Sequence, residues 1–311
     1  MKLYILRHGT TEWNNRHLIQ GQTDIPLDDF GRLMAKATGE GLRKKGITFD
    51  KVYSSPLKRS VETARIVLGQ QGDITDDDYN RDRIIYSQKE NITDEDRQSI
   101  AEDSPQIEII TDDRLKELSF GFMDGGKVEE MTADDNSPFR FFKTAPDKYE
   151  EAVLSWRRDN LPSVIQNNSE SPELLSELCE RAKEFLTTVI EPMVFENYSE
   201  TEGNLDEYLN QEVNQNLKRD LNRNLNQDMN QALNQDTSVL ISVHGALSKA
   251  LLMHIRGERN LAEFWGEGLL PNCGIAIVTL QIKNGKPDYH IDNPAAVFYD
   301  ESIKAKAPKL L

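Results

Sequence analysis

Apolar residues in this chain gather into short unbroken runs that alternate with longer stretches of helical periodicity. Lys2 to Leu6, with Leu3-Tyr4-Ile5-Leu6 at its centre, reads as a buried strand, and Asp50 to Ser55 as a second one. Between them Gly31 to Lys45 has helical spacing, and another helix is expected from about Leu57 to Leu68, with Ser55-Pro56 as its start signal. Further along, Thr237 to Val243 is a β-branched run followed by a helical pattern from Ala246 to Ile255, and Gly274 to Ile282 supplies one more strand. Strand alternating with helix predicts an α/β protein with a parallel sheet.

Two stretches break this rhythm. Gln70 to Lys116 holds 14 acidic and 6 basic residues, so that half of the formal charge of −16 lies there. Residues 70–113 are therefore expected as a solvated acidic insertion. Asn204 to Asp236 is close to a tetrad repeat, with Leu205, Leu209, Val213, Leu217, Leu221, Leu225, Met229 and Leu233 four apart and 14 of 33 residues Asn or Gln. A four-residue period on a 3.6-residue helix turns the apolar stripe by about 40° per step, so no one face stays buried. Residues 204–236 are thus expected as an exposed helix or disordered insertion, with partner binding or self-association as the sharper alternative.

Composition narrows the partners. With 37 Lys and Arg against 53 Asp and Glu, the overall field repels polyanions, which argues against nucleic acid as the main ligand. A small phosphorylated substrate stays open, because a local Arg and His cluster can oppose that field at close range. The two cysteines, Cys179 and Cys273, form neither a metal-ligand spacing nor a disulfide framework, which fits a reducing compartment. No run approaches the roughly 20 apolar residues of a membrane span. The opening Met-Lys-Leu-Tyr-Ile-Leu is too short for a signal-peptide core, so the expected location is cytoplasmic. Oligomeric state cannot be read from the chain.

The first strand delivers Arg7-His8-Gly9-Thr10 to its carboxyl end, where open α/β sheets bind ligands, and Gly9 is expected to let the backbone approach a ligand there. The run Leu6-Arg7-His8-Gly9-Thr10-Thr11-Glu12-Trp13-Asn14 closely resembles the signature of the histidine phosphatase superfamily, in its phosphoglycerate mutase-like branch. The resemblance continues through Ser54 to Ala64, Leu115 to Gly125, Glu170-Ser171 and Val243-His244-Gly245. It implies a three-layer α/β/α sandwich with a mostly parallel sheet, formed by a single domain over 1–311, with a helical cap in the region 126–200. It also implies catalysis by His8, Glu117, Arg7, Arg59 and His244, and substrate contacts from Arg7, Asn14, Gln20, Gly21, Arg59 and Gly245.

Chemistry explains why these residue types occur together. A phosphoryl group brings about two negative charges, and the protein's task is mainly to position it and stabilise charge. Arg7 and Arg59 offer fork-like donors, and His244, if protonated, adds a third cationic one. Such a cluster can replace a metal, and the sequence shows no carboxylate or Cys/His cluster spaced to hold one, so neither metal nor cofactor is expected. His8 is left as the nucleophile that forms a phosphohistidine. The resemblance assigns the general acid to Glu117; on physical grounds Asp124 or Glu12 could stand in.

The chain also departs from the family pattern. Met34 stands where a Gln is common, Ser169 replaces the usual Gly before Glu170-Ser171, and the stretch between Glu117 and His244 is longer than the family needs. His17, His254 and His290 match no motif and read as structural or surface residues, while Phe139, Phe141, Phe142 and Trp156 are expected to pack a cap over the site. The expected activity is a metal-independent phosphatase. A phosphoglycerate mutase is the alternative, for which Glu117-Leu118-Ser119-Phe120 lacks the mutase-type Glu-Arg-His-Tyr. A catalytically idle binding protein on the same fold would require loss of a chemical residue, and none is missing.

Overall fold

The computed structural model describes residues 1–70, 107–167, 171–195, 237–266 and 268–306, the side chains of 161–167 excepted. The repeat expected at 204–236, Ser169-Glu170 and most of the acidic stretch lie outside the described residues. In chain order the main elements are β1 (Lys2–Arg7), α1 (Asp29–Lys44), β2 (Lys51–Ser54), α2 (Lys58–Leu68), β3 (Ile109–Thr111), α3 (Val128–Ala133), α4 (Pro146–Asn167), α5 (Leu175–Phe185), β4 (Ser238–Val243), α6 (Gly245–Arg256), β5 (Ile275–Lys283) and β6 (Lys286–Ala296).

The strands form one six-stranded sheet in the order β3-β2-β4-β1-β5-β6. The first four in that order pair in parallel, and β5 and β6 close one side as an antiparallel edge. Side chains alternate across this sheet as the two-residue period requires. Leu3, Ile5, Val239, Ile241, Ala276 and Val278 join one core with α5 and α6, while Tyr4, Leu6, Val52, Leu240 and Ile275 join the other with α1 and α2. This is the three-layer α/β/α sandwich expected from the chain.

Two boundaries differ from expectation. Ile109–Thr111 belongs to the sheet, in parallel register with Val52 to Ser54, although it falls inside the stretch read as an acidic insertion to residue 113. Three residues at a sheet edge, two of them exposed, bury too little apolar surface to stand out among their acidic neighbours. The region expected as a cap, 126–200, is also divided. Val128 of α3 and Phe139 of the turn Pro138–Phe141 line the cavity of the site, whereas Leu175, Leu178, Ala182 and Phe185 of α5 are fully buried in the sheet-facing core with Leu247 and Leu251 of α6. Among the described residues no helix is long and apolar enough to cross a membrane.

Gly9 and Gly31 hold β1's outgoing loop against the start of α1. A Cβ on Gly9 would lie 2.7 Å from the Gly31 carbonyl oxygen, and one on Gly31 would collide with the Thr10 backbone. Gly9 therefore serves close packing of chain on chain, rather than the approach of a ligand anticipated from its sequence position. Asp28 caps α1 at the same spot, its Oδ1 accepting from Gly31 N at 2.6 Å and from Thr10 Oγ1 at 2.7 Å. Ala normally stabilises a helix over Gly by about 1 kcal/mol. Here Gly31→Ala is expected to destabilise by about 1–3 kcal/mol, the usual cost of overpacking, as read from urea unfolding.

Candidate active site

The site forms where β1 and β4 end side by side. Arg7 is in register with Val243, and His8 N donates to Val243 O at 3.0 Å, so the next residue on each strand, His8 and His244, comes to the same edge. Their ring centroids are 5.1 Å apart. β2 ends at the same level, with Ser55 N donating to Ser242 O at 3.0 Å, and the chain then turns into α2, whose second residue is Arg59.

Hydrogen bonds fix the tautomer of each imidazole. His8 Nδ1 faces Gly9 O at 2.6 Å, and a carbonyl only accepts, so Nδ1 carries the hydrogen and Nε2 keeps its lone pair. Burial, then the charges of Arg59 and Arg7, push the His8 pKa well below the ordinary histidine value. His244 is fully buried; Arg59 Nε donates to its Nδ1 at 3.2 Å, and its Nε2 stands 2.7 Å from Ser55 Oγ, to which it donates. Burial and Arg59 likewise push its pKa well down. The possibility that His244 acts as a third cation is thereby overturned: a proton on Nδ1 would meet the guanidinium N–H of Arg59.

Arg59 is also fully buried, with Nη1 donating to Thr23 O at 2.9 Å and Nη2 to Gly21 O at 2.7 Å. Burial lowers its pKa to about 10, which still leaves it charged at neutral pH. Arg59 and His244 stand behind His8 rather than in the cavity wall. Gly21 likewise lies behind the wall, clamped by Arg59 and by Asp124 Oδ1, which accepts from Gly21 N at 3.1 Å.

The cavity itself encloses about 830 Å³ including its open mouth, and its polar floor is Arg7, His8, Asn14, Gln20, Glu117, Gly245 and Asn272. Arg7 Nη1 donates to Leu270 O at 2.6 Å, and burial lowers its pKa to about 10, with Glu117 opposing. Gln20 Oε1 accepts from Thr11 Oγ1 at 3.0 Å, and Asn14 Oδ1 accepts from Thr11 N at 3.1 Å. Arg7 Nε and Gln20 Nε2 are buried donors without a hydrogen-bond partner among the described residues. Buried donors are rarely left unpaired, so two that border one cavity mark where an acceptor fits.

Glu117 is the one carboxylate lining that cavity among the described residues. Its Oε1 accepts from Leu118 N at 2.9 Å and Leu247 N at 3.0 Å, and its Oε2 from Ala246 N at 3.1 Å, which seats it on the first turn of α6. Its main chain is held as firmly. Arg181 donates to Arg114 O, Lys116 O and Glu117 O at 2.6–3.0 Å and to both oxygens of Glu173, whose Oε2 also accepts from Ser119 N. The alternatives to Glu117 do not reach the cavity. Asp124 pins the Gly21 to Thr23 loop, accepting from Thr23 N and Thr23 Oγ1 as well, and Glu12 is exposed.

Sequence reasoning missed several lining residues. Lys143, Asn272, Trp265 and Leu269 border the cavity without any motif to announce them, and His17, read as a structural or surface residue, is exposed and also borders it, with a positive φ of 53°. Asn272 Nδ2 donates to His8 O at 3.0 Å, so it also fixes the turn that carries His8. Phe139 and Phe142 line the wall, whereas Trp156 stacks on Phe122 at 4.7 Å, away from the lining residues. Met34 is fully buried in the α1 and α2 core and has no part in the cavity. Among the described residues no three His, Cys, Asp or Glu side chains gather as metal ligands.

Burying two neutral imidazoles ties stability to pH. Above an unfolded pKa of about 6.5 neither state binds these protons, and the full stability is present; below it only the unfolded chain takes them up. Stability is expected to fall by up to about 2.7 kcal/mol per pH unit as pH drops below 6.5, about 1.4 from each histidine. Urea unfolding at pH 7 and pH 5.5 reads the total, and the slope is expected to lessen by about one histidine's share in a folded His8→Gln variant.

Residues 3–96 match the family model of the histidine phosphatase superfamily (branch 1). Over 69 residues the chain is 44% identical to a 2,3-bisphosphoglycerate-dependent phosphoglycerate mutase of Baumannia cicadellinicola, covering 22% of this chain and 29% of that protein. A phosphoglycerate mutase of Candida albicans is 42% identical over 67 residues, 22% of this chain and 27% of that one. The matched stretch thus spans under a third of the length of these curated relatives. Among solved structures, Bacillus stearothermophilus YhfR superposes with a TM-score of 0.57 at 20% identity, covering 96% of this chain and 98% of that one. The mycobacterial glucosyl-3-phosphoglycerate phosphatase does so with 0.53 at 20% identity, covering 95% and 98%. Such likeness concerns the fold. The chain's segment 3–96 is thus similar to the histidine phosphatase superfamily, branch 1, and its fold is shared with these structures.

Proposed function

We propose that this protein hydrolyses a phosphomonoester through a phosphohistidine on His8, without a metal. The observation that carries the reading is the meeting, in one cavity, of a neutral His8 Nε2, two unpaired buried donors and a backbone-anchored carboxylate. A phosphoryl group seated there takes Arg7 Nε and Gln20 Nε2 as donors while Nε2 of His8 attacks phosphorus. The P–O bond to the alcohol breaks, and Glu117, protonated when the anionic phosphoryl group binds beside it, supplies the proton that the departing oxygen needs. Water then attacks the phosphohistidine, Glu117 takes its proton, and His8 leaves as the neutral imidazole. Arg7 stabilises charge from the cavity wall and Arg59 from behind His8, through its charge and its hold on His244. Gly245 keeps that wall thin: a Cβ there would meet Leu269 at 2.7 Å and Glu117 Oε2 at 3.4 Å.

A mutase reading has its own support in the likeness of the N-terminal stretch to phosphoglycerate mutases. Hydrolysis is favoured by Glu117-Leu118-Ser119-Phe120 at the acid position and by an apolar wall that a phosphoglycerate would leave largely unused.

Phosphate release from an aryl phosphate is expected to persist in excess chelator and to fall by about 10³-fold or more in His8→Ala. Glu117→Gln is expected to lose about 10²–10⁴-fold on an alkyl phosphate and far less on nitrophenyl phosphate, whose leaving group needs no proton. Interconversion of phosphoglycerates faster than phosphate release would favour the mutase. Loss of turnover with chelator would end the metal-free account.

A further inference from the structure

The cavity has a second half that the phosphoryl chemistry does not use. Besides the polar floor, the lining has an apolar wall of Leu18, Ile19, Phe120, Val128, Trp265 and Leu269, completed by Phe139 and Phe142. Phe142 is the keystone of this wall. Its ring lies 4.9 Å from Phe120, 5.2 Å from Phe139 and 5.0 Å from Trp265 between centroids, and its carbonyl accepts from Trp265 Nε1 at 2.6 Å. A backbone anchored in this way sets the starting point of the next residue, Lys143.

Lys143 borders the cavity and is half-buried. Among the described residues its ammonium has no hydrogen-bond or ion-pair partner, and the one carboxylate lining the cavity, Glu117, is already held by backbone N–H groups. The charge nearest in kind is Arg7, which together with burial disfavours the ammonium. A partly desolvated cation facing another cation is costly unless a ligand brings an anion to it. A phosphoryl group on Arg7 and His8 satisfies the floor and leaves Lys143 as it was.

Resting on the hydrolase reading above, we propose that the substrate is a phosphomonoester whose alcohol carries an apolar, ring-sized body and one further anionic group. The body lies against Phe120, Phe142, Trp265 and Leu269, and the anion, a carboxylate or a second phosphate, pairs with Lys143. A three-carbon phosphoglycerate supplies the anion without the body, and a plain aryl phosphate supplies the body without the anion.

Binding of phosphonate analogues to the wild-type protein, by calorimetry, separates these features without turnover. Benzylphosphonate carries the ring, its carboxymethyl derivative the ring and a carboxylate, its phosphonomethyl derivative the ring and a second phosphonate, and a carboxyalkyl phosphonate the anion alone. One of the doubly charged ring compounds is expected to bind about 10-fold tighter than benzylphosphonate and than the ringless compound, and which one does so names the anion. Lys143→Met is expected to erase that preference, bringing the affinities of the singly and doubly charged ring compounds to within about twofold of each other, and Lys143→Arg to retain most of it. Equal affinity of singly and doubly charged ring compounds, a preference that survives in Lys143→Met, or tightest binding by the ringless compound would overturn the proposal. Phosphate release from the matching phosphates judges the hydrolase reading separately. Selective binding without release would sink that reading alone, and release without selective binding would sink this one alone.

Discussion

The hydrogen bond from His8 N to Val243 O, at 3.0 Å, extends the β1 and β4 ladder one residue beyond the strands. Because parallel register leaves no slack, the two residues that follow these strands must emerge at one level, and both are histidines. β2, paired to the other side of β4, brings Ser55 and then Arg59 to the same edge. The packing of Gly9 on Gly31 keeps the outgoing loop close enough for Gly9 N to reach Thr63 Oγ1 at 3.0 Å, so α1 and α2 brace the turn that carries His8. A one-residue slip in this sheet would turn every one of these side chains to the other face.

Around that edge charge is arranged in depth. Burial, and then the charge of Arg59, which sits behind His8 and donates to His244, favours the neutral form of both imidazoles and leaves a buried positive charge near the cavity floor. Arg7 and Lys143 add cations at the cavity wall, with Glu117 the one carboxylate lining it among the described residues, in a chain whose formal charge is −16. A local cationic pocket in an acidic protein suits a small anion and disfavours a polyanion, since the long-range field and the short-range site have opposite sign.

Much of this was legible in the chain. Leu3 to Leu6 and Val239 to Val243 are buried on both sheet faces and so appear as nearly continuous apolar runs, broken in the second only by Ser242, and Arg7-His8-Gly9 and His244-Gly245 follow them directly. β6 was not legible, because an edge strand paired on one side tolerates the polar and proline-bearing Lys286–Ala296. α5 was grouped with a cap since an amphipathic pattern says that a helix packs, and not against what. Lys143 and Asn272 had no local signal at all: a Lys after two Phe residues and an Asn after Pro271 acquire meaning only when the Phe142 to Trp265 contact and the Arg7 to Cys273 hydrogen bond draw their loops together. The state of His244 was equally hidden, for it depends on which imidazole nitrogen Arg59 meets.

Transfer of the phosphoryl group to His8 is the central claim, and it can be observed directly. Rapid acid-free quenching of the wild-type protein during turnover of an aryl phosphate, followed by peptide mass analysis, looks for one added phosphoryl group that is labile to acid and stable to base. The account predicts that group on the peptide containing His8, and its absence from His8→Ala. A phosphoryl group on any other residue, or single-turnover release of phosphate with no such species at any quench time and no diversion of the phosphoryl group to an added acceptor alcohol, would contradict it.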